Sequence, residues 1–127
     1  MYNINVNHVF LLWKEVRFMP VNIQNLLKLY RKQLETVAGS HMKKVILYGS
    51  YARGDFHADS DIDIMILVDY TDSGMKEFEN KVCDITYDFN EEYNADIMPI
   101  VQNVTHFEYW KNAYMFYQNV EKEGVAI

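Results

Sequence analysis

Residues 49–68 read GSYARGDFHADSDIDIMILV, and the fold is decided by how two short polar motifs sit against the apolar run in this stretch. Ile62–Val68 (IDIMILV) is short, apolar and rich in β-branched residues, as a buried strand is, and the polar turn Asp69-Tyr70-Thr71-Asp72-Ser73-Gly74 closes it. Just upstream, Val45-Ile46-Leu47-Tyr48 is a second run of the same kind, bounded by Lys43-Lys44 and by Gly49. Gly49-Ser50 therefore leaves the end of one strand and Asp61-Ile62-Asp63 opens the next, with ten residues between Ser50 and Asp61.

Outward from that centre the pattern alternates. Ile23, Leu26, Leu27, Tyr30, Leu34 and Val37 recur at steps of three and four, which predicts an amphipathic helix with Pro20 in its first turn and Gly39 at its stop. Met75, Phe78, Val82, Ile85 and Phe89 repeat in the same way and predict a second helix. Ile97–Val101 reads as a third strand, and Pro99 inside it argues for a sheet edge, because proline cannot donate to a ladder. From Thr105 or His106 onward, FEYWKNAYMFYQNVEKEG predicts one last helix closed by Gly124. The order is helix, strand, loop, strand, helix, strand, helix, which makes one sheet with helices on it.

Composition bounds the rest. At 127 residues, the chain is long enough for one core and too short for two of ordinary size. Half of it is hydrophobic and 24% is charged, enough to fold. The net charge is −6 and the basic residues are scattered in pairs such as Arg31-Lys32, so the basic stripe that nucleic acid requires is missing. A single cysteine, Cys83, excludes an intrachain disulfide and suits a reducing cytosol. Near the start, the longest apolar run is Val9–Trp13, too short to span a bilayer, and no secretory leader is evident. The expectation is a soluble cytoplasmic protein. Residues 1–18 read as an N-terminal extension ahead of an internal Met19, and residues 19–127 as the domain.

The chemistry follows from the strand ends. Asp61 and Asp63 are two apart on a strand, so both side chains lie on one face. Two carboxylates held that close repel each other and lose hydration, an arrangement that a cation or a proton must offset. Magnesium, a hard ion that prefers oxygen ligands, suits them. Gly49 lets a phosphate approach the main chain without a Cβ in the way, Ser50 adds a hydroxyl, and a helical turn at 51–54 would aim free N–H groups at the same anion. Asp96, immediately before the third strand, could join the pair, and three carboxylates can hold two metal ions about an α-phosphate. The acidic balance of the chain also calls for divalent cations to screen any bound phosphate.

With those residues in view, GSYARGDFHADSDIDIMILV resembles the signature of the polymerase β-type nucleotidyltransferases, in which Gly-Ser and Asp-x-Asp are about ten residues apart. Asp96 is similar to that family's third acidic residue, and FYQNVEKEGVAI to the tail of its MNT subgroup. The resemblance covers residues 20 to 127. It implies an α/β (α+β) fold of the polymerase β-like type, a small mixed β-sheet backed by helices. It also implies magnesium-dependent use of ATP, with Asp61, Asp63 and Asp96 as catalytic and metal ligands and Gly49 and Ser50 as nucleotide-binding residues. In the MNT subgroup the acceptor is often a tyrosine of a HEPN-domain toxin encoded alongside, which would make this chain an antitoxin that adenylylates its partner. Two other readings stand beside that one: an antitoxin that works by occlusion, and transfer to a small molecule of the aminoglycoside kind. Homo- and hetero-oligomers are both compatible with the sequence.

Other residues carry blander readings. Arg53 could reach a phosphate but, with Asp55 and Asp59, reads as a solvated loop residue. Asp84 and Asp88 fall inside a helix. His8, His41, His57 and His106 have no ligand spacing and read as surface histidines. Phe107, Tyr109, Trp110, Tyr114, Phe116 and Tyr117 are more aromatics than one helix face can bury, so some should form a protein-binding surface.

Overall fold

A computed structural model describes residues 21–127. The expectations for the 1–18 extension, for Met19 as a start, for Pro20 in the first helical turn and for His8 lie outside those residues. The elements are α1 (Val21–Ala38), a 3-10 turn (Gly39–His41), β1 (Met42–Tyr48), α2 (Ser50–Arg53), β2 (Ile62–Val68) and α3 (Asp72–Tyr93). They continue with β3 (Ile97–Asn103), α4 (Val104–Trp110), α5 (Met115–Glu123) and β4 (Val125–Ala126).

The four strands form one mixed sheet in the order β3-β2-β1-β4. β1 and β2 run antiparallel with Tyr48 opposite Asp63, and β2 and β3 run parallel with Ile62 opposite Ile97. That register brings the end of β1 and the starts of β2 and β3 to the same end of the sheet. β3 is an edge, as Pro99 suggested. The outward-facing N–H of Ile97 is taken by Asn90 Oδ1 at 3.0 Å, while Asn90 Nδ2 donates to the Ile97 carbonyl at 3.1 Å. Proline fits two residues on, where the main-chain nitrogen again points away from β2.

Both faces of β2 are covered, which is why its sequence is nearly continuously apolar. Ile62, Ile64, Ile66 and Val68 pack with Leu27, Tyr30 and Leu34 of α1 and Phe78, Val82 and Phe89 of α3. Met65 and Leu67 point the other way, onto Phe107 of α4 and Tyr117 and Val120 of α5. Across the larger core, Tyr30 and Thr86 share a buried hydroxyl–hydroxyl hydrogen bond of 2.7 Å that ties α1 to α3. Burial pushes the Tyr30 phenol up to about 12.

Two expectations need correction, and one strand went unforeseen. The final helix is two: it breaks at residues 111–114, where Ala113 and Tyr114 both return their N–H groups to the Trp110 carbonyl and Tyr114 turns extended. Tyr114 then stacks on Trp110 at 5.3 Å and its carbonyl accepts from Gln118, so ring stacking and a new helix start replace the helical ladder. The turn proposed at 69–74 is shorter, because Asp72-Ser73-Gly74 is already the first turn of α3. The tail after Gly124 forms β4 and pairs with Ile46 and Leu47 of β1, a two-residue strand too short to carry a periodicity.

Candidate active site

Gly49 follows β1 with φ 77° and ψ −157°, a region open essentially to glycine alone. A Cβ there would collide with the carboxylate of Asp63. Backbone shape thus demands glycine, and any side chain here would also push the Asp63 carboxylate aside. The chain then enters α2, whose carbonyl-to-amide bonds begin from Gly49. Among the described residues, the N–H groups of Ser50 and Tyr51 have no acceptor, so they stand at the head of a turn that begins one residue before the expected 51–54.

Asp63 lies on the same face of β2 as Met65 and Leu67, but beyond the cover of α4 and α5. It is partly exposed and faces an open cleft of about 490 Å³. Gly49, Ser50, Asp61 and Asp63 line this cleft together with Arg53, Asp55, His57, Asp59 and Ser60 of the intervening loop. Loss of hydration raises the Asp63 carboxyl above its ordinary range, and the negative charges of Asp61 and Glu123 add to the effect while the Arg53 guanidinium opposes it.

Asp96 sits beside Asp61 because β2 and β3 are parallel and in register; its carbonyl accepts from the Ile62 N–H at 2.9 Å. Its side chain is hydrogen-bonded to that of Asp61, and this bond, followed by the charge of Asp61, raises the Asp96 carboxyl. Two carboxyl groups can share a hydrogen bond only if one holds a proton. Asp96 does not line the cleft itself; it flanks Asp61 on the β3 side.

The five residues expected from the sequence are therefore at one end of the sheet, but not as a closed cage. Among the described residues, no three histidine, cysteine, aspartate or glutamate side chains converge as a metal site. The donor set still suits magnesium, which is held through one or two carboxylates plus substrate phosphates more often than by protein ligands alone. Asp61 and Asp63 would supply those carboxylates.

Five cleft residues, Arg53, Asp55, His57, Asp59 and Ser60, escaped the sequence reading as participants. Arg53 is not merely solvated: its Nε donates to Asp55 Oδ2 at 3.2 Å and its Nη1 to Glu123 Oε2 at 3.2 Å. Asp59 lines the cleft as well, with its N–H donating to His57 Nδ1 at 3.3 Å. His57 and Ser60 fold the loop, the His57 N–H donating to Ser60 Oγ at 2.8 Å and the Ser60 N–H returning to the His57 carbonyl at 3.0 Å. Glu123, at the end of α5, accepts from the Gly49 N–H at 2.9 Å. No local signal marks Glu123, since its partners lie 70 and 74 residues away.

The nucleotidyltransferase domain family matches residues 27–124. Two proteins of Methanocaldococcus jannaschii, each assigned as a protein adenylyltransferase, are similar to this chain. One is 34% identical over 85 residues, which is 67% of this chain and 84% of the relative. The other is 34% identical over 104 residues, 82% of this chain and 96% of the relative. A solved structure from Sulfolobus solfataricus, described as a nucleotidyltransferase, superposes with a TM-score of 0.57 at 20% identity, over 84% of this chain and 79% of that one. The polymerase β-like fold expected from the sequence agrees with that likeness. With the family model spanning residues 27–124 and two relatives at 34% identity, this chain belongs to the nucleotidyltransferase domain family.

Proposed function

We propose that the protein transfers AMP from ATP, with magnesium, to a hydroxyl group of another protein. The observation that carries this reading is that the Gly49-Ser50 turn and the Asp61 and Asp63 carboxylates line a single cleft side by side. Ser50 and the α2 N–H groups would hold the terminal phosphates, and Asp61 and Asp63 the cation. Magnesium, when bound there, screens the phosphates and draws charge from the α-phosphate as the leaving pyrophosphate departs. Asp96, next to Asp61 at the start of β3, would accept the proton of the attacking hydroxyl when ionised. The two relatives assigned as protein adenylyltransferases support a protein acceptor over a small molecule. The MNT-like motif supports a specific one: a tyrosine of a HEPN-domain toxin encoded nearby, with this chain as its cytoplasmic antitoxin.

Purified protein incubated with α-labelled ATP, magnesium and the neighbouring gene product should label that partner. Unchanged labelling by the Asp61→Ala/Asp63→Ala double variant would remove the proposal.

A second reading, neutralisation by occlusion, is favoured by one feature. Tyr109, Trp110, Tyr114, Met115 and Phe116 are exposed on α4, α5 and their connection, whereas only Phe107 and Tyr117 of the predicted aromatic stripe are buried. If the double variant still suppresses the partner's toxicity, occlusion is the mechanism.

A further inference from the structure

Glu123 has no place in the chemistry described so far, yet it makes both contacts that fix the phosphate side of the cleft. Its Oε2 accepts from the Gly49 N–H at 2.9 Å and from Arg53 Nη1 at 3.2 Å. Arg53 lines the cleft; Glu123 does not. The carboxylate therefore stands behind the guanidinium and does not fill the space in front of it. Of the five donors of Arg53, Nε goes to Asp55 and one on Nη1 to Glu123, so Nη2 has no partner among the described residues.

Glu123 is itself held firmly. Gly124 closes α5 with its N–H on the Val120 carbonyl at 2.8 Å, and a Cβ at Gly124 would strike that carbonyl. Val125 and Ala126 then pair with Leu47 and Ile46, the residues that lead into Gly49. The chain tail is thus laced to β1 just before the turn, and the Glu123 side chain, 24% exposed, is directed back onto that turn.

We propose that Glu123 is a positioning residue. It locks the Gly49 turn and orients Arg53 so that the free edge of the guanidinium meets the terminal phosphates of a nucleoside triphosphate. This rests on the reading that the cleft binds ATP. The alternative, a surface ion pair of no consequence, would add little, since exposed pairs of this kind contribute little to stability. The two accounts differ in sign. Replacing a carboxylate with an amide next to a polyanion site removes repulsion, so electrostatics alone would tighten ATP binding. Positioning requires the opposite.

The test is calorimetric titration of ATP with magnesium into wild-type protein, Glu123→Gln, Arg53→Ala and the double variant, with a melting curve for each. Glu123→Gln retains an acceptor for the Gly49 N–H, so its melting temperature should match the wild type, while ATP binding weakens about tenfold through loss of one charge-assisted contact. In the Arg53→Ala background the same change should have no further effect, because Glu123 acts through Arg53. Equal or tighter ATP binding by Glu123→Gln, or a full additional loss in the double variant, overturns the proposal. If wild-type protein binds no ATP, the reading of the cleft falls with it; if wild type binds and Glu123→Gln binds equally well, this proposal alone falls.

Discussion

A Cβ on Gly49 would run into Oδ2 of the Asp63 carboxylate, so any side chain at position 49 must displace that carboxylate. Gly49, which follows β1, and Asp63 of β2 are thus immediate neighbours, and both line the same cleft.

Gly49→Ala should therefore damage fold and site together. The positive φ costs a non-glycine residue roughly 1–3 kcal/mol, and displacement of Asp63 adds to that. Thermal melting should show a clear drop, and ATP binding should be lost at temperatures where the variant is still folded. A variant with wild-type melting and wild-type ATP binding would contradict the contact.

The carboxyls of Asp63 and Asp96 are both raised above the ordinary value of 3.8, Asp63 chiefly by loss of hydration and Asp96 chiefly by its hydrogen bond to Asp61. A carboxyl with a raised folded-state value binds its proton more tightly in the native protein than in the unfolded chain. The associated stability is fully present below 3.8 and is lost as pH rises through the raised values. Without divalent cations, the site should destabilise the protein at neutral pH, and Asp61→Asn should raise the melting temperature there. Magnesium should raise the wild-type melting temperature at pH 7 and have little effect near pH 4, where protons replace it; a chelator should reverse the neutral-pH gain. Equal stabilisation by magnesium at both pH values would count against the carboxylates as its ligands.

Asn90 fixes the strand that carries Asp96 through its paired hydrogen bonds to Ile97. Asn90→Ala leaves a partly buried N–H and carbonyl without partners and should cost about 1–3 kcal/mol in chemical denaturation. Because Asp96 is the next residue, label transfer should fall by more than ATP binding does. Equal losses in both would mean that Asn90 supports the fold alone.

Thr86→Val provides a control remote from the cleft. It strands the buried Tyr30 hydroxyl, whose partner is Thr86 Oγ1, and should destabilise by about 1–3 kcal/mol. ATP affinity, measured below the melting transition, should not change. A change in affinity would show that the α1–α3 core communicates with the cleft.

What the sequence disclosed and what it did not divide along physical lines. β2 was readable to the residue, since Ile62–Val68 is buried on both faces and its apolar run has sharp polar ends. Gly49, Ser50, Asp61, Asp63 and Asp96 were readable because each marks the end of a strand, and the sheet register brings those ends together. The break between α4 and α5 was not, because it depends on Trp110 and Tyr114 stacking, a preference that competes with helical periodicity only once the rings have a surface to lie on. Glu123 and Arg53 were missed as a pair for a different reason. Their contact spans 70 residues of chain and joins the end of α5 to α2. His57 and Ser60 hold a loop through hydrogen bonds that no spacing rule distinguishes from solvation.

The central claim is that Gly49-Ser50 and Asp61/Asp63 form one site for a triphosphate and its magnesium. Titration of ATP into the wild-type protein, with magnesium and then with excess chelator, tests it most directly, with Asp61→Ala/Asp63→Ala as the comparison. The account predicts saturable binding with magnesium that is lost both in chelator and in the double variant. Binding that survives in either condition, or no binding by the wild type with magnesium, would contradict it.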